Sequence, residues 1–346
     1  MRSMMKTKIL VLVFLVAAFG TRAEAQGSQN VSKRGTAAAP FLSIAQGARA
    51  LSLGGAFVAV ANDASAMYWN PAGIAELEGF HFMVDHTNWF ADIQYEYLGA
   101  TIGLGSFGTL GANMTSSNIA DMKVTTIDHQ DGTGEVFGIT DFAFGLTYAL
   151  RLTDEFSIGF NPKLVYQKIW KMSATAYAVD MGVKYRTPFE GFTLGMSITN
   201  FGTKMRMQGN NALVLYDPDP TGSGNNGKIP AELSTEEWEL PLNFRVGIAY
   251  DLPLGSVGKV TLALDAAHPS DNYESVNFGG EYVYDDMVYF RGGMKSLFLK
   301  DSEEGLTLGV GVRQLLLGNV QFSVDYAYQD LSRLKNAQKF TFGIAF

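Results

Sequence analysis

The strongest pattern in the chain is strict two-residue alternation. In the C-terminal segment Phe340, Phe342, Ile344 and Phe346 fall on one face and Lys339, Thr341, Gly343 and Ala345 on the other. The segment before it sets Val320, Phe322, Val324, Tyr326 and Tyr328 against Gln321, Ser323, Asp325, Ala327 and Gln329. Further back, Leu242, Phe244, Val246, Ile248 and Tyr250 alternate with Asn243, Arg245, Gly247 and Ala249. Successive side chains of a β-strand point to opposite faces, so each segment reads as a strand with one apolar and one small or polar face. The pattern predicts about fourteen strands, an even number as in bacterial barrels. The first seven lie near 79–90, 93–103, 105–117, 138–151, 154–170, 174–187 and 191–203. The other seven lie near 238–252, 257–268, 272–284, 286–297, 304–316, 318–330 and 337–346.

Alternating strands suit a soluble sandwich or a membrane barrel. Many here run to ten residues or more, whereas strands of globular proteins average ~5–6. The polar face mixes glycine with charges of both signs: Asp180, Lys184, Arg245, Asp265, Glu281, Arg291, Arg313 and Asp325. That is the texture of a filled lumen. The connections have a parity. Tight turns follow even strands, at Gly105, Thr153-Asp154, Pro188-Phe189-Glu190, Pro253-Leu254-Gly255, Asp285-Asp286 and Gly318. The long connections 118–137, 204–237 and 331–336 follow odd strands. Barrels of this kind keep short turns on the periplasmic side and longer loops outside. Trp89, Trp170 and Trp238 fall at outer strand ends, where an aromatic girdle belongs. The expected fold is all-β: an antiparallel transmembrane β-barrel of about fourteen strands with an N-terminal, partly helical hatch.

The N-terminus explains how such a chain leaves the cytoplasm. Lys6 and Lys8 precede an apolar run from Ile9 to Phe19, and Ala23-Glu24-Ala25 offers small residues at a cleavage site. Residues 1–25 therefore read as a secretory signal peptide cut before Gln26. Residues 26–78 are the N-terminal segment and hatch, within which 36–78 lack period two and are rich in Ala and Gly, which suits a plug; residues 79–346 are expected to form the barrel. Within the plug, Ile44 to Leu51 suggests a helical turn or two, and Asn62, Asp63 and Ser65 offer capping side chains. Asn70 and Pro71 suggest the start of a short helix through Leu77. Phe346, aromatic and in phase with the lipid face, resembles the signal read by the barrel assembly machinery.

Composition removes most chemistry. The chain has no Cys, so it has no disulfide, thiolate metal site or thiol nucleophile. The net charge of −8 argues against a nucleic-acid partner. Of the four His, His81 and His86 are five apart on a strand and face opposite ways, so they form no metal pair. Gly309-Val310-Gly311 continues strand alternation, and no helix pattern follows it as a dinucleotide loop requires. No Gly-x-Ser-x-Gly elbow is present. The expectation is no enzyme, no cofactor and no metal.

The stretch from Phe41 to Gly73 carries a resemblance. Its spacing, Ala-Arg-Ala, then Leu-Gly-Gly-Ala-Phe, then Asp-Ala, then Tyr-Trp-Asn-Pro-Ala-Gly, ends on Asn70, Pro71, Ala72 and Gly73. It resembles the N-terminal signature of the PorV/PorQ proteins, barrels of the long-chain fatty-acid transporter superfamily with fourteen strands and an Asn-Pro-Ala hatch motif. The resemblance implies an outer-membrane component of type IX protein secretion. Such a protein binds or shuttles secreted cargo from a translocon to a cell-surface attachment complex. The outer membrane of a Gram-negative bacterium would then be its location and outer-membrane lipid its surroundings. The alternative is a channel for hydrophobic small molecules, as in the superfamily's fatty-acid transporters. The inward faces of the strands offer little apolar lining for such a ligand, which favours the shuttle. The longest connection, 204–237, supplies candidate partner-binding residues Met205, Met207, Leu215, Tyr216 and Trp238, because flexible apolar side chains suit a surface that accepts many cargoes. N-terminal sequencing of the membrane-fraction protein is expected to begin at Gln26, and recovery of the uncleaved chain from the soluble fraction would overturn the export reading.

Overall fold

The computed structural model describes residues 33–221, 226–255, 258–299, 302–316 and 320–346. The signal-peptide reading of residues 1–25 and the turn at Gly318 lie outside these. Fourteen antiparallel strands form the wall. They are β1 (Phe80–Asn88), β2 (Gln94–Gly103), β3 (Thr109–Asn118), β4 (Ile139–Arg151), β5 (Phe156–Ile169), β6 (Met172–Arg186) and β7 (Phe192–Gly202). They continue as β8 (Asn243–Pro253), β9 (Lys259–Pro269), β10 (Ser275–Tyr284), β11 (Val288–Leu297), β12 (Leu306–Leu316), β13 (Val320–Asp330) and β14 (Asn336–Ala345). Each strand pairs with its sequence neighbours, and β1 pairs with β14 in the register Val84↔Phe342, so the sheet closes on itself. Closure leaves no open sheet edge, which a barrel in lipid cannot carry.

The alternation sorts the wall as expected. On β14, Phe342 points out and is exposed while Lys339 and Thr341 point in and are buried. On β12, Leu308, Val310 and Val312 form part of the outward belt. In lipid that belt is at its lowest free energy, and the inward row is where polar groups find partners. Among the described turns, parity holds on the inner side. Asp285 and Asp286 both have φ of 51° in the three-residue connection between β10 and β11, which the Met287 N–H closes on the Tyr284 carbonyl at 3.1 Å.

The outer connection between β5 and β6 is as tight as the inner ones: Trp170 and Lys171 alone bridge it, with Trp170 at φ 52°. One expectation is corrected: β8 begins at Asn243, not at 238, so Trp238 lies in the loop and bridges Met205. Pro241 sits just before β8 and has no N–H to give a ladder.

The segment before the barrel fills the lumen. It folds as short helical pieces, Pro40–Ser43, α1 (Ala48–Ser52), α2 (Ala66–Trp69) and Pro71–Glu76. The first and last of these are 3-10 turns. Its Leu51, Leu53, Phe57, Met67, Trp69 and Ile74 are buried against wall alanines Ala149, Ala249, Ala263 and Ala327. Small residues on the wall leave room for large ones on the plug, and each fully buried Leu or Phe contributes about 1.5–3 kcal/mol. Higher up, Phe41 and Leu42 pack on Tyr95, Val165, Met205 and Leu240.

The last residue closes the seam. The Phe346 N–H donates to the Phe80 carbonyl at 3.0 Å, the Phe80 N–H returns to the Phe346 carbonyl at 2.8 Å, and the two rings lie 5.1 Å apart. Deleting Phe346, or making Phe346→Asp, is expected to lower the amount of heat-modifiable barrel in the membrane fraction. Normal amounts of both variants would reject a role in assembly.

Candidate functional site: the plugged lumen and its outer mouth

Asn70 organises the lower hatch. Its Oδ1 accepts from the Ala72 N–H at 3.2 Å, capping the turn that Pro71 begins. Its Nδ2 donates to the Val58 carbonyl at 2.8 Å and to the Val183 carbonyl of β6 at 3.0 Å. One buried side chain thus joins two parts of the plug to the wall. The approach is so close that a Cβ at Gly182 would collide with Asn70, and one at Gly159 with the backbone of Pro71 and Ala72. Glycine inside a strand commonly marks such a backbone approach. Ala72 and Gly73 are buried behind them.

Charges fasten the rest. Arg49 of α1 forks onto Glu281 of β10, Nε to Oε2 at 2.9 Å and Nη2 to Oε1 at 3.0 Å. Its Nη1 reaches Asn62 of the plug at 2.6 Å. Arg291 of β11 donates to the same Glu281 at 2.6 Å and to Asp325 of β13 at 2.5 Å. Asp85 of β1 accepts from Lys339 at 2.6 Å, from Thr341 at 2.5 Å and from the Gly47 N–H at 3.0 Å. Lys339 also donates to Thr87. Asp265 of β9 accepts the Phe57 and Val58 N–H groups at 2.8 and 2.9 Å. Lys184 binds Glu76 at 3.0 Å and the Ala61 carbonyl at 2.9 Å, and Lys163 pairs with Asp180 at 2.8 Å. The expected inward charges do face inward, and several are consumed in holding the plug. Arg313 differs: it lies over the Tyr289 ring at 4.6 Å.

Cavities open at both ends of the lumen, one of about 420 Å³ at the inner end beside Glu76, Lys184 and Arg186. A cavity of about 370 Å³ opens between hatch and loops, lined among others by Tyr68, Trp69, Arg245, Tyr273, Asn277 and Leu299. Arg245 lies over the Trp69 ring at 5.0 Å and the Tyr68 ring at 5.8 Å. In the adjoining loops, burial raises the Asp271 carboxyl above its ordinary value. Burial pushes Glu304 the same way, but Lys295 at 2.5 Å, with Ser296 and Gln329, holds it below the usual range.

The long loop divides the candidate partner-binding residues. Met205 is buried and Met207 half-buried; both line a second opening of about 330 Å³ with Pro40, Gln167 and Trp238. Leu215 and Tyr216 are exposed on a two-stranded ribbon, Leu213–Tyr216 against Ile229–Glu232, and Trp238 is half-exposed at its base. The methionines therefore face the protein, because the N-terminal segment gives them an apolar surface nearer than any partner. Sequence reasoning missed Arg49, Asp85 and the cavity-facing Tyr68 and Trp69. A lone Arg within Ala-Arg-Ala was the available signal for the first.

A closed barrel of fourteen strands with an apolar outer belt and a polar, plugged interior defines an outer-membrane barrel. By sequence, the model of the uncharacterised protein family UPF0164 matches residues 15–250, and the chain belongs to that family. No curated protein matches it by sequence. In fold it is similar to the CymD monoaromatic hydrocarbon channel, at 13% identity, covering 87% of this chain and 97% of that one, with a TM-score of 0.52. It is equally similar to the Ralstonia pickettii toluene transporter TbuX, at 13% identity, 87% and 97% coverage and a TM-score of 0.52. The Pseudomonas putida toluene transporter TodX follows at 11% identity, 86% and 96% coverage and a TM-score of 0.51.

Replacing Asn70 with Ala removes its capping bond and leaves two buried carbonyls short of a donor, at a cost of about 2–3 kcal/mol. The variant is expected to expose residues 36–78 to protease and to raise small-solute flux in proteoliposome swelling. No change in either measurement would deny Asn70 its seating role.

Proposed function

We propose that the protein is an outer-membrane channel for hydrophobic small molecules and performs no chemistry of its own. The observation that carries this reading is the outer cavity. The strand faces alone offer little apolar lining, which had favoured cargo shuttling. The hatch supplies what the wall lacks: Tyr68 and Trp69 face the cavity, with Tyr273 and Leu299 of the outer loops above them. The rest of the lining is largely polar, with Arg34, Arg245, Asp271, Lys295 and Glu304 among it, so the aromatic side chains of the hatch form an apolar patch within a concave site, and concave sites with aromatic walls commonly take small molecules. The fold neighbours named as hydrocarbon channels support the same reading. The plug then serves as a seal that keeps the lumen from leaking while a ligand enters from outside.

A second reading keeps the type IX secretion role, with translocon, secreted cargo and surface attachment complex as partners, and with the PorV/PorQ likeness of the hatch motif behind it. Its specific support is the exposed ribbon, where Leu213, Leu215 and Tyr216 present apolar side chains to solvent, with Leu233 just beyond it. Ribbons of this kind suit a protein partner.

One strain set separates the two. Cells lacking the gene, cells with the intact gene and cells with residues 209–228 shortened are compared for toluene uptake and for secreted proteins that co-purify with the barrel. The channel reading expects uptake to fall several-fold on deletion and to survive loop shortening. Uptake that is indifferent to the protein, together with cargo that co-purifies and is lost on shortening, would put the shuttle in its place.

A further inference from the structure

Arg245 stands apart from the other inward charges. It projects from β8 and is 7% exposed. Among the described residues no carboxylate pairs with it, and its Nη1 has no hydrogen-bond partner. The acid whose charge it feels is Asp265, which spends one oxygen on the Phe57 and Val58 N–H groups and turns the other toward Gly247. A buried cation without a partner is costly, and the ring faces of Trp69 and Tyr68 offset only part of that cost. Two more polar atoms at the same place are buried without a well-formed hydrogen bond, the Tyr68 hydroxyl, which faces the Arg245 guanidinium, and Asn243 Oδ1. All three residues line the outer cavity, whose other walls include Trp69 and Tyr273 and, from the loops, Asp271 and the paired Lys295 and Glu304.

We infer that this cavity binds a compact aromatic carboxylate, with Arg245 as its anion-binding fork. The inference rests on the channel reading and narrows its substrate class. A guanidinium presents parallel N–H donors that match the two oxygens of a carboxylate. The Tyr68 hydroxyl is placed as a further donor. Trp69, Tyr68 and Tyr273 offer ring faces to an aromatic body. The cavity, about 370 Å³, is at the lower end of the ~300–1,000 Å³ range of ligand pockets. That size favours a short molecule over a long acyl chain. The site also lies beside the outer loops, so a ligand reaches it without the plug moving.

The test uses full-length protein folded in detergent and titration calorimetry with 3-phenylpropionate, propylbenzene, acetate and laurate. The expected order puts 3-phenylpropionate first, with propylbenzene and acetate weaker by about tenfold or more. Arg245→Gln is expected to weaken 3-phenylpropionate by about tenfold or more and to affect propylbenzene much less, while Arg245→Lys restores part of the loss. The unfolding temperature of Arg245→Gln should stay level or rise, since an unpaired buried charge is gone. Equal binding by wild type and Arg245→Gln overturns the site, and a lowered unfolding temperature beside equal binding marks Arg245 as structural. Propylbenzene binding as tightly as 3-phenylpropionate overturns the anion fork, and tighter laurate binding overturns the aromatic body. Toluene uptake run in parallel keeps the two readings distinct. A protein that imports toluene but does not bind 3-phenylpropionate loses this site alone, and one that binds it without any uptake loses the channel reading alone.

Discussion

Arg49 carries the tie on which the rest of the lumen depends. It belongs to the plug, yet its fork closes on Glu281 of the wall, and Glu281 is shared with Arg291, which in turn holds Asp325. The chain crosses from α1 through three strands without a gap. Each charge in it is shielded from water, so none could be left alone. Breaking a buried pair by removing one partner costs about 3–5 kcal/mol. The plug is therefore not merely lodged in the barrel. It completes an electrostatic structure that the empty wall could not support.

That requirement follows from the lipid. The outer face must be apolar, so period two sends the polar half of every strand inward. A wide lumen could hydrate those groups. Here the lumen is filled, so they are answered by the hatch instead: Asp85 by the Gly47 N–H and Asp265 by the Phe57 and Val58 N–H groups. A segment of Ala and Gly with short helical pieces is suited to this role. It leaves many backbone N–H groups outside regular helices, and wall carboxylates cap them. The glycines at 159 and 182 let that backbone come close enough to bond.

The wall was legible in the sequence because alternation is a local signal. Leu308, Val310 and Val312 read as one face without knowledge of their neighbours, and turn parity then ordered the strands. The misplaced start of β8 has the same source. Trp238, Leu240 and Leu242 alternate as a strand does, but Pro241 breaks the ladder and Trp238 pairs with Met205 instead. The hatch was legible only as a motif. Asn70 and Pro71 announced a capped turn, and the cap is there, although the turn is 3-10 and not α. What the cap is for depends on Val58 and Val183, residues 12 and 113 positions away. The same holds for Arg49 and Glu281, 232 apart. No periodicity encodes such partners. The buried methionines of the long loop were misjudged for a related reason, since an apolar residue in a loop does not say which surface it will cover.

The two ends of the lumen differ in how completely charge is balanced, and this bears on function. Toward the periplasm Lys184 and Arg186 both meet Glu76, and Lys184 also meets a plug carbonyl. Groups held that way resist movement, because any shift would strand a charge. Toward the outside, Arg245, Tyr68 and Asn243 leave polar atoms unanswered beside aromatic surface. A protein selected only for stability gains nothing from that arrangement, since an apolar side chain in place of Arg245 would avoid the desolvation cost. An unbalanced site next to a balanced seal is the arrangement expected where something from outside supplies the missing partner. The inner end also holds an opening, about 420 Å³ beside Glu76, Lys184 and Arg186, but its charges meet each other, whereas Arg245 at the outer end meets no carboxylate.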